Sequence, residues 1–252
     1  MNGRLSSVGC GFSALLFLLG AYFASAFLLP ESVWLQVFDG ELGVVEWFTV
    51  LTVAAATGLF TFLTIRGGRA SERGRLPKPV RVLYLLMAVA GLYFAGEEAS
   101  WGQHWLGFRT PAAIAAQNKQ GEFNLHNGEF LHDWLNEVPR TLASLFCLLI
   151  CGVMPLVRWR MPGRRWWVPA AAVAPFGLAA ALFNIPERVL ERLNAEPTSG
   201  PLYLTLVHLP DEVKELLMGV VLLGFAVTMW IRWRRPRHGT EPMGRGESSA
   251  AA

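Results

Sequence analysis

Apolar residues fall in six long runs along this chain, at about 10–29, 42–65, 82–96, 139–157, 166–185 and 211–231. A helix needs roughly 20 mostly apolar residues to cross about 30 Å of hydrocarbon, and these runs have that scale. The polar residues between them are sorted by sign. If the connections are assigned alternately to two sides, one side collects 16 of the 22 Lys and Arg and the other 16 of the 19 Asp and Glu. A soluble protein has no reason to sort charge this way, whereas cytoplasmic loops of membrane proteins retain Lys and Arg. The pattern predicts an all-α polytopic membrane bundle of six transmembrane helices with both termini cytoplasmic. Residues 1–235 form a single domain and 236–252 a disordered cytoplasmic tail. The expected location is a bacterial cytoplasmic (inner) membrane.

The details agree with that orientation. Arg4 precedes the first run, and Arg66–Arg81 and Arg158–Arg165 form basic connections. Glu31, Asp39 and Glu41 lie on the opposite side. Ala24-Ser25-Ala26 offers a competing reading as a signal-peptide cleavage site, but the apolar run continues past it to Leu29. The tryptophans divide into two belts. Trp34, Trp47, Trp101, Trp105 and Trp134 fall at outer ends, and Trp159, Trp166, Trp167, Trp230 and Trp233 at inner ends, as expected for interfacial anchors. Pro175 predicts a kink in the fifth run. Residues 186–194 read as a short amphipathic outer helix, and Thr110-Pro111 as the cap and first position of a short helix to about Asn118.

With 53% hydrophobic and 16% charged residues, the 252-residue chain has no stretch left for a separate soluble domain. The net charge of +3 does not indicate nucleic acid, because the basic residues stand beside the spans, where orientation requires them. Cys10, Cys147 and Cys151 all fall inside runs and read as small packing residues. Thr49, Thr52, Thr57, Thr61 and Thr64 in the second run read as groups bonding to their own helix or a neighbour.

The candidate chemistry lies at the outer ends. Glu46, Glu97, Glu98, Glu187, Asp211, Glu212 and Glu215 reach one membrane level from several helices. His208 and the loop histidines His104, His126 and His132, with Asp133, join them. Ionisable groups at that depth face a bundle interior or a water-filled cavity. The expected catalytic groups are Glu98 as general base, with Glu97, Ser100 and Glu46. The expected metal ligands are His126, His208, Glu215 and Asp211, a mixed set suited to zinc, iron or manganese. Glu97 and Glu98 point about 100° apart, so only one faces the bundle centre squarely. The outer loop 97–138 is long, polar and suited to fold back as a lid. Each acid taken alone also has a plain structural reading: Asp211 and Glu212 suit a helix N-terminus, and Lys214 suits the headgroup region.

Glu97-Glu98-Ala-Ser-Trp-Gly-Gln103, followed by Gly107-Phe, Thr110-Pro111, Asn118, Gln120-Gly121-Glu122 and Asn124-Leu-His-Asn127, resembles an outer-loop signature of a family of uncharacterised bacterial polytopic membrane proteins. The resemblance extends to Asp39-Gly40 through Glu46-Trp47. It implies that the site lies in this loop and implies no reaction. A second resemblance is to membrane hydrolases of the alkaline ceramidase and adiponectin-receptor type, which set Ser, Asp and three His around zinc. Glu98, Ser100, His126 and His208 offer similar chemistry, but the chain lacks the His pair four apart on a late span.

These features point to a membrane-embedded, metal-dependent hydrolase or transferase acting on a lipid or envelope precursor. The alternative is a non-catalytic subunit whose outer loop docks a partner protein. An ion-coupled transporter is disfavoured, because no acid lies deep in the inner half and no internal repeat is visible.

Overall fold

A computed structural model describes residues 2–39, 43–69, 75–116, 118, 121, 123–124, 138–157 and 166–235. Its regular elements are helical, with no strand among the described residues. Six helices are long and apolar enough to cross a membrane: Leu5–Leu28, Val44–Arg66, Lys78–Glu98, Val138–Val157, Ala171–Arg192 and Pro210–Arg234. The chain is a multi-pass membrane protein by this architecture.

Proline places most of the boundaries. Helix α1 (Asn2–Leu28) stops before Pro30, which caps the short α2 (Glu31–Phe38). A residue preceding proline is biased away from the helical region, so the chain turns there. Helix α3 (Val44–Arg66) ends at Gly67-Gly68. Helix α4 (Lys78–Glu98) follows Pro77 and carries Pro79 in its first turn, where a missing N–H costs nothing. Beyond it come the one-turn helices α5 (Gln103–Leu106) and α6 (Ala112–Ala115). The fourth span contains α7 (Val138–Phe146), a π-helical stretch Cys147–Val153 and α8 (Met154–Val157). The fifth contains α9 (Ala174–Leu182) and α10 (Ile185–Arg192). The sixth is α12 (Pro210–Arg234), preceded by α11 (Gly200–Tyr203) and a π-helical stretch Leu204–His208. Both π stretches end two residues before a proline, Pro155 and Pro210. Pro155 removes a helical N–H and crowds the carbonyl four residues back, which a widened turn accommodates, whereas Pro210 opens α12 after the non-helical Leu209.

Helices α3, α12 and α9 form the middle of the bundle, with α4 on the outer side of α3 and α1 on the outer side of α9. Phe60, Tyr84, Phe225 and Met229 are fully buried where α3, α4 and α12 meet. Glycines let backbones approach: a Cβ on Gly91 would strike the Thr57 hydroxyl, and one on Gly219 would strike the Thr52 hydroxyl. Small residues at helix contacts are the usual device where lipid removes the hydrophobic drive between helices. Outward, α4 presents Leu85, Leu86, Val89 and Leu92, all at least half exposed, as hydrocarbon requires.

Four sequence expectations are corrected. Trp34 is not an interfacial anchor: α2 folds back on α1, where Trp34 is fully buried, stacks on Phe38 and donates through Nε1 to Ser25 Oγ at 2.9 Å. Pro175 does not kink a running helix; it sits in the first turn of α9 after a 3-10 turn at Ala171–Val173, the position where proline is best tolerated. The short helix after Thr110 covers only Ala112–Ala115, and Thr110 Oγ1 donates to Gln103 Oε1 at 3.1 Å instead of capping it. The fifth span begins at Ala171 rather than Trp166, since Val168–Ala170 is irregular chain. The threonine reading holds for Thr49, Thr52 and Thr64, whose hydroxyls donate to Val45, Phe48 and Phe60 carbonyls. Thr57 Oγ1 is buried without a hydrogen-bond partner.

Candidate functional site

Three spans end or begin at the acidic end of the bundle with a carboxylate. Glu98 is the last residue of α4, Glu46 lies in the first turn of α3, and Asp211 and Glu212 lie in the first turn of α12, with Glu215 one turn further on. Carboxylates at a helix N-terminus are stabilised by the dipole, which explains Glu46, Asp211 and Glu212 locally. Glu98 stands at a helix C-terminus, where that term opposes it. Its place has to come from the neighbours.

Those neighbours are Glu212 and Glu215. One oxygen from each of Glu98, Glu212 and Glu215 lies within 4.8 Å of the others, and all three side chains are half-buried. Glu98 and Glu215 are close enough to share a hydrogen bond, and Glu46 lies within electrostatic reach of Glu98. Carboxylates this close repel unless a proton, a cation or a basic side chain lies among them. Arg140, from the first turn of α7, supplies part of that charge. Its Nη2 donates to Glu215 Oε1 at 2.5 Å and its Nη1 to Asp211 Oδ2 at 3.3 Å. Asn184, at the end of α9, donates through Nδ2 to the other Asp211 oxygen. Four spans therefore meet in one polar network. Lys214, on the buried face of α12, adds a second cation within electrostatic reach of Asp211 and Glu215.

The two adjacent glutamates part company as helical geometry requires. Glu98 joins the carboxylate group, whereas Glu97 is buried and accepts a hydrogen bond from Trp101 Nε1 at 2.7 Å. The chain after α4 turns tightly, with Ser100 at φ 43°, Trp101 at φ 51° and Gly102 at φ 83°. Left-handed backbone costs about 1–2 kcal/mol per non-glycine residue, so surrounding bonds have to hold it. They come from the connection between the third and fourth spans. Asn124 Nδ2 donates to Ser100 Oγ at 3.4 Å, Asn118 Nδ2 donates to Asn124 Oδ1 at 2.7 Å, and Phe123 N–H donates to Gln103 Oε1 at 2.7 Å. The described part of the loop thus folds back onto residues 100–103, and Ser100 serves that packing.

His208 does not join the three carboxylates, although its partner Asp39 lies within electrostatic reach of Glu212. Leu209 is non-helical, so the His208 face is not continuous with that of Glu212 and Glu215, and His208 Nε2 pairs with Asp39 Oδ2 at 3.1 Å. His126, His132, Asp133 and Glu122 lie outside the described residues, as does the side chain of His104. Of the expected ligands, the structure brings Glu215 and Asp211 into the network. Glu212, one of the candidate acids though not an expected ligand, joins them, and Arg140 and Asn184, which were not among the expected site residues, complete the network. The donors of the carboxylate group are all oxygen, which suits Mg²⁺, Mn²⁺ or Ca²⁺ better than zinc.

Comparison with protein-family models, with curated proteins and with solved structures finds no match in any of the three.

Proposed function

We propose that the protein is a membrane-embedded hydrolase or transferase, with a divalent cation held by Glu98, Glu212 and Glu215 and a lipid or envelope precursor as substrate. The convergence of these three carboxylates from two spans, beside Arg140, is the observation that carries the reading. Held by Glu98, Glu212 and Glu215, a divalent cation would supply Lewis acidity toward a substrate oxygen or water. Glu46 is the adjacent carboxylate suited to take the proton. The site stands at the ends of spans, level with headgroups, which supports an amphiphilic substrate. The sorting of charge supports cytoplasmic termini and a site on the outer face of a bacterial cytoplasmic membrane.

Elemental mass spectrometry of protein purified with a histidine-free tag, without chelator and with added Mn²⁺ and Mg²⁺, tests the reading. About one divalent ion per chain is expected, lost in Glu98→Gln/Glu215→Gln while His208→Ala retains it. Absence of metal in the folded parent protein sinks the proposal. An exposed apolar run at Trp101, Trp105, Leu106 and Phe108 favours a second reading, a loop that docks a partner protein. A stoichiometric partner lost in Trp105→Ser/Leu106→Ser would select it.

A further inference from the structure

A second site lies at the opposite, basic end, and it is independent of the reading just given. Helix α3 ends in Gly67-Gly68, and the chain re-enters α4 through Leu76-Pro77. Leu76 N–H donates to Gly67 O at 2.8 Å and its side chain is buried, so this entry is pinned. Arg81, in the first turn of α4, donates through Nε to Thr64 O at 3.3 Å. Its guanidinium lies against Gly68: a Cβ there would come within 2.5 Å of Arg81 Cζ. Gly68 therefore makes room for this arginine, which is held across the helix pair rather than trailing into solvent.

Arg81 forms one wall of a pocket of about 690 Å³, with Arg75 and Lys78 among its other lining residues. Among the described residues, no carboxylate lines it. The first turn of α4 has no side-chain cap, so its partial positive charge adds to the three cations. Below them the wall becomes apolar. Val82 and Leu85 line the same pocket and are each about half exposed on the side of α4 that faces hydrocarbon.

We propose that this pocket binds the phosphate headgroup of an anionic membrane lipid, with its first acyl carbons against Val82 and Leu85. Basic pockets between spans bind such headgroups through charge-assisted hydrogen bonds. A free phosphate has no use for the apolar wall, and a zwitterionic headgroup would bring its own cation up against Arg75, Lys78 and Arg81, which an anionic headgroup does not. Membrane orientation alone requires basic residues near this interface, but it does not require an arginine pinned over a glycine at the rim of a cavity.

Native mass spectrometry of the full chain tests the proposal. The protein would be released from micelles loaded with equimolar phosphatidylglycerol and phosphatidylcholine of the same chain length. A retained phosphatidylglycerol adduct is expected, favoured over phosphatidylcholine by ~10-fold or more. Inorganic phosphate at 20 mM should not displace it. Arg75→Gln/Lys78→Gln should lose the preference, and Arg75→Lys/Lys78→Arg should keep it. Equal retention of the two lipids overturns the proposal, as does displacement by inorganic phosphate or an unchanged preference in the Gln variant. The lipid comparison uses the unaltered protein, so a variant that fails to fold leaves the test standing.

Discussion

Replacing Arg140 with Met is expected to lower the unfolding temperature of the purified protein by ~4–8 °C, with most of the loss recovered by adding Glu215→Gln. Arg140 pairs with two of the α12 carboxylates, Asp211 and Glu215. Removing one member of a fully buried pair costs about 3–5 kcal/mol. Here Arg140 keeps a third of its side chain exposed and Asp211 nearly half, while Glu215 is mostly buried. Solvent thus reaches part of the network, and about 2 kcal/mol is the expected loss. For a chain of this size that corresponds to about 2–4 °C per kcal/mol. The second substitution removes the charge left uncompensated, so the double variant should be more stable than Arg140→Met alone. Thermal melts of the four members of this cycle measure the coupling. A second readout follows from the proposed cation. Millimolar Mn²⁺ should raise the melting temperature of Arg140→Met more than that of the parent, because it supplies positive charge where the guanidinium was. An unchanged melt for Arg140→Met, or a double variant no better than the single, would show that the network is incidental.

Arg140 also shows how far the sequence could be read. Six spans follow from apolar run length and from the side on which each charge falls, and neither property needs tertiary information. The same sorting contained a further signal in its exceptions. Six of the 22 Lys and Arg stand on the acidic side, among them Arg140 and Lys214. A cation that breaks the orientation rule beside a span needs another reason to be there, and pairing with the α12 acids supplies it. Other features were not legible. Which of Glu97 and Glu98 turns inward depends on how α4 is rotated against α12, and an all-round apolar helix does not encode that. His208 extends the face of Glu212 and Glu215 only if the helix runs through Leu209. The π-helical stretch before Pro210 breaks that continuity and sends the imidazole to Asp39. Trp34 sits at the expected height for a belt. Its burial follows from α2 folding back on α1, a contact between segments that local pattern does not predict.

Gly177→Ala is expected to destabilise the bundle, while the chemically identical change Gly58→Ala stabilises it or is neutral. Alanine is favoured over glycine within a helix by about 1 kcal/mol, so propensity alone predicts a gain at both sites. The difference lies in what the new methyl group meets. At Gly58, in α3, nothing stands within 4 Å. At Gly177, in α9, a Cβ would lie 2.7 Å from Cys151 C, 2.7 Å from Gly152 N and 2.8 Å from Cys147 O. All three are backbone atoms of the π-helical stretch in the fourth span, so no side-chain rotation relieves the clash. The helices have to separate, and in lipid their association rests on this close packing. Overpacking typically costs about 1–3 kcal/mol, and backbone contact on three atoms places Gly177→Ala at the upper end. Gly152→Ala offers an intermediate case, since its nearest neighbour is the Leu178 Cδ2 atom at 2.9 Å, the end of a flexible side chain. Melting temperatures should therefore rank Gly58→Ala highest, Gly152→Ala next and Gly177→Ala lowest. Equal shifts for Gly58→Ala and Gly177→Ala would mean that the fourth and fifth spans do not touch as described. The effect reaches the site, because Asn184 on the fifth span and Arg140 on the fourth both hold Asp211. Forcing these two spans apart at Gly177 should thus also weaken the response of the protein to Mn²⁺, at a position remote from any carboxylate.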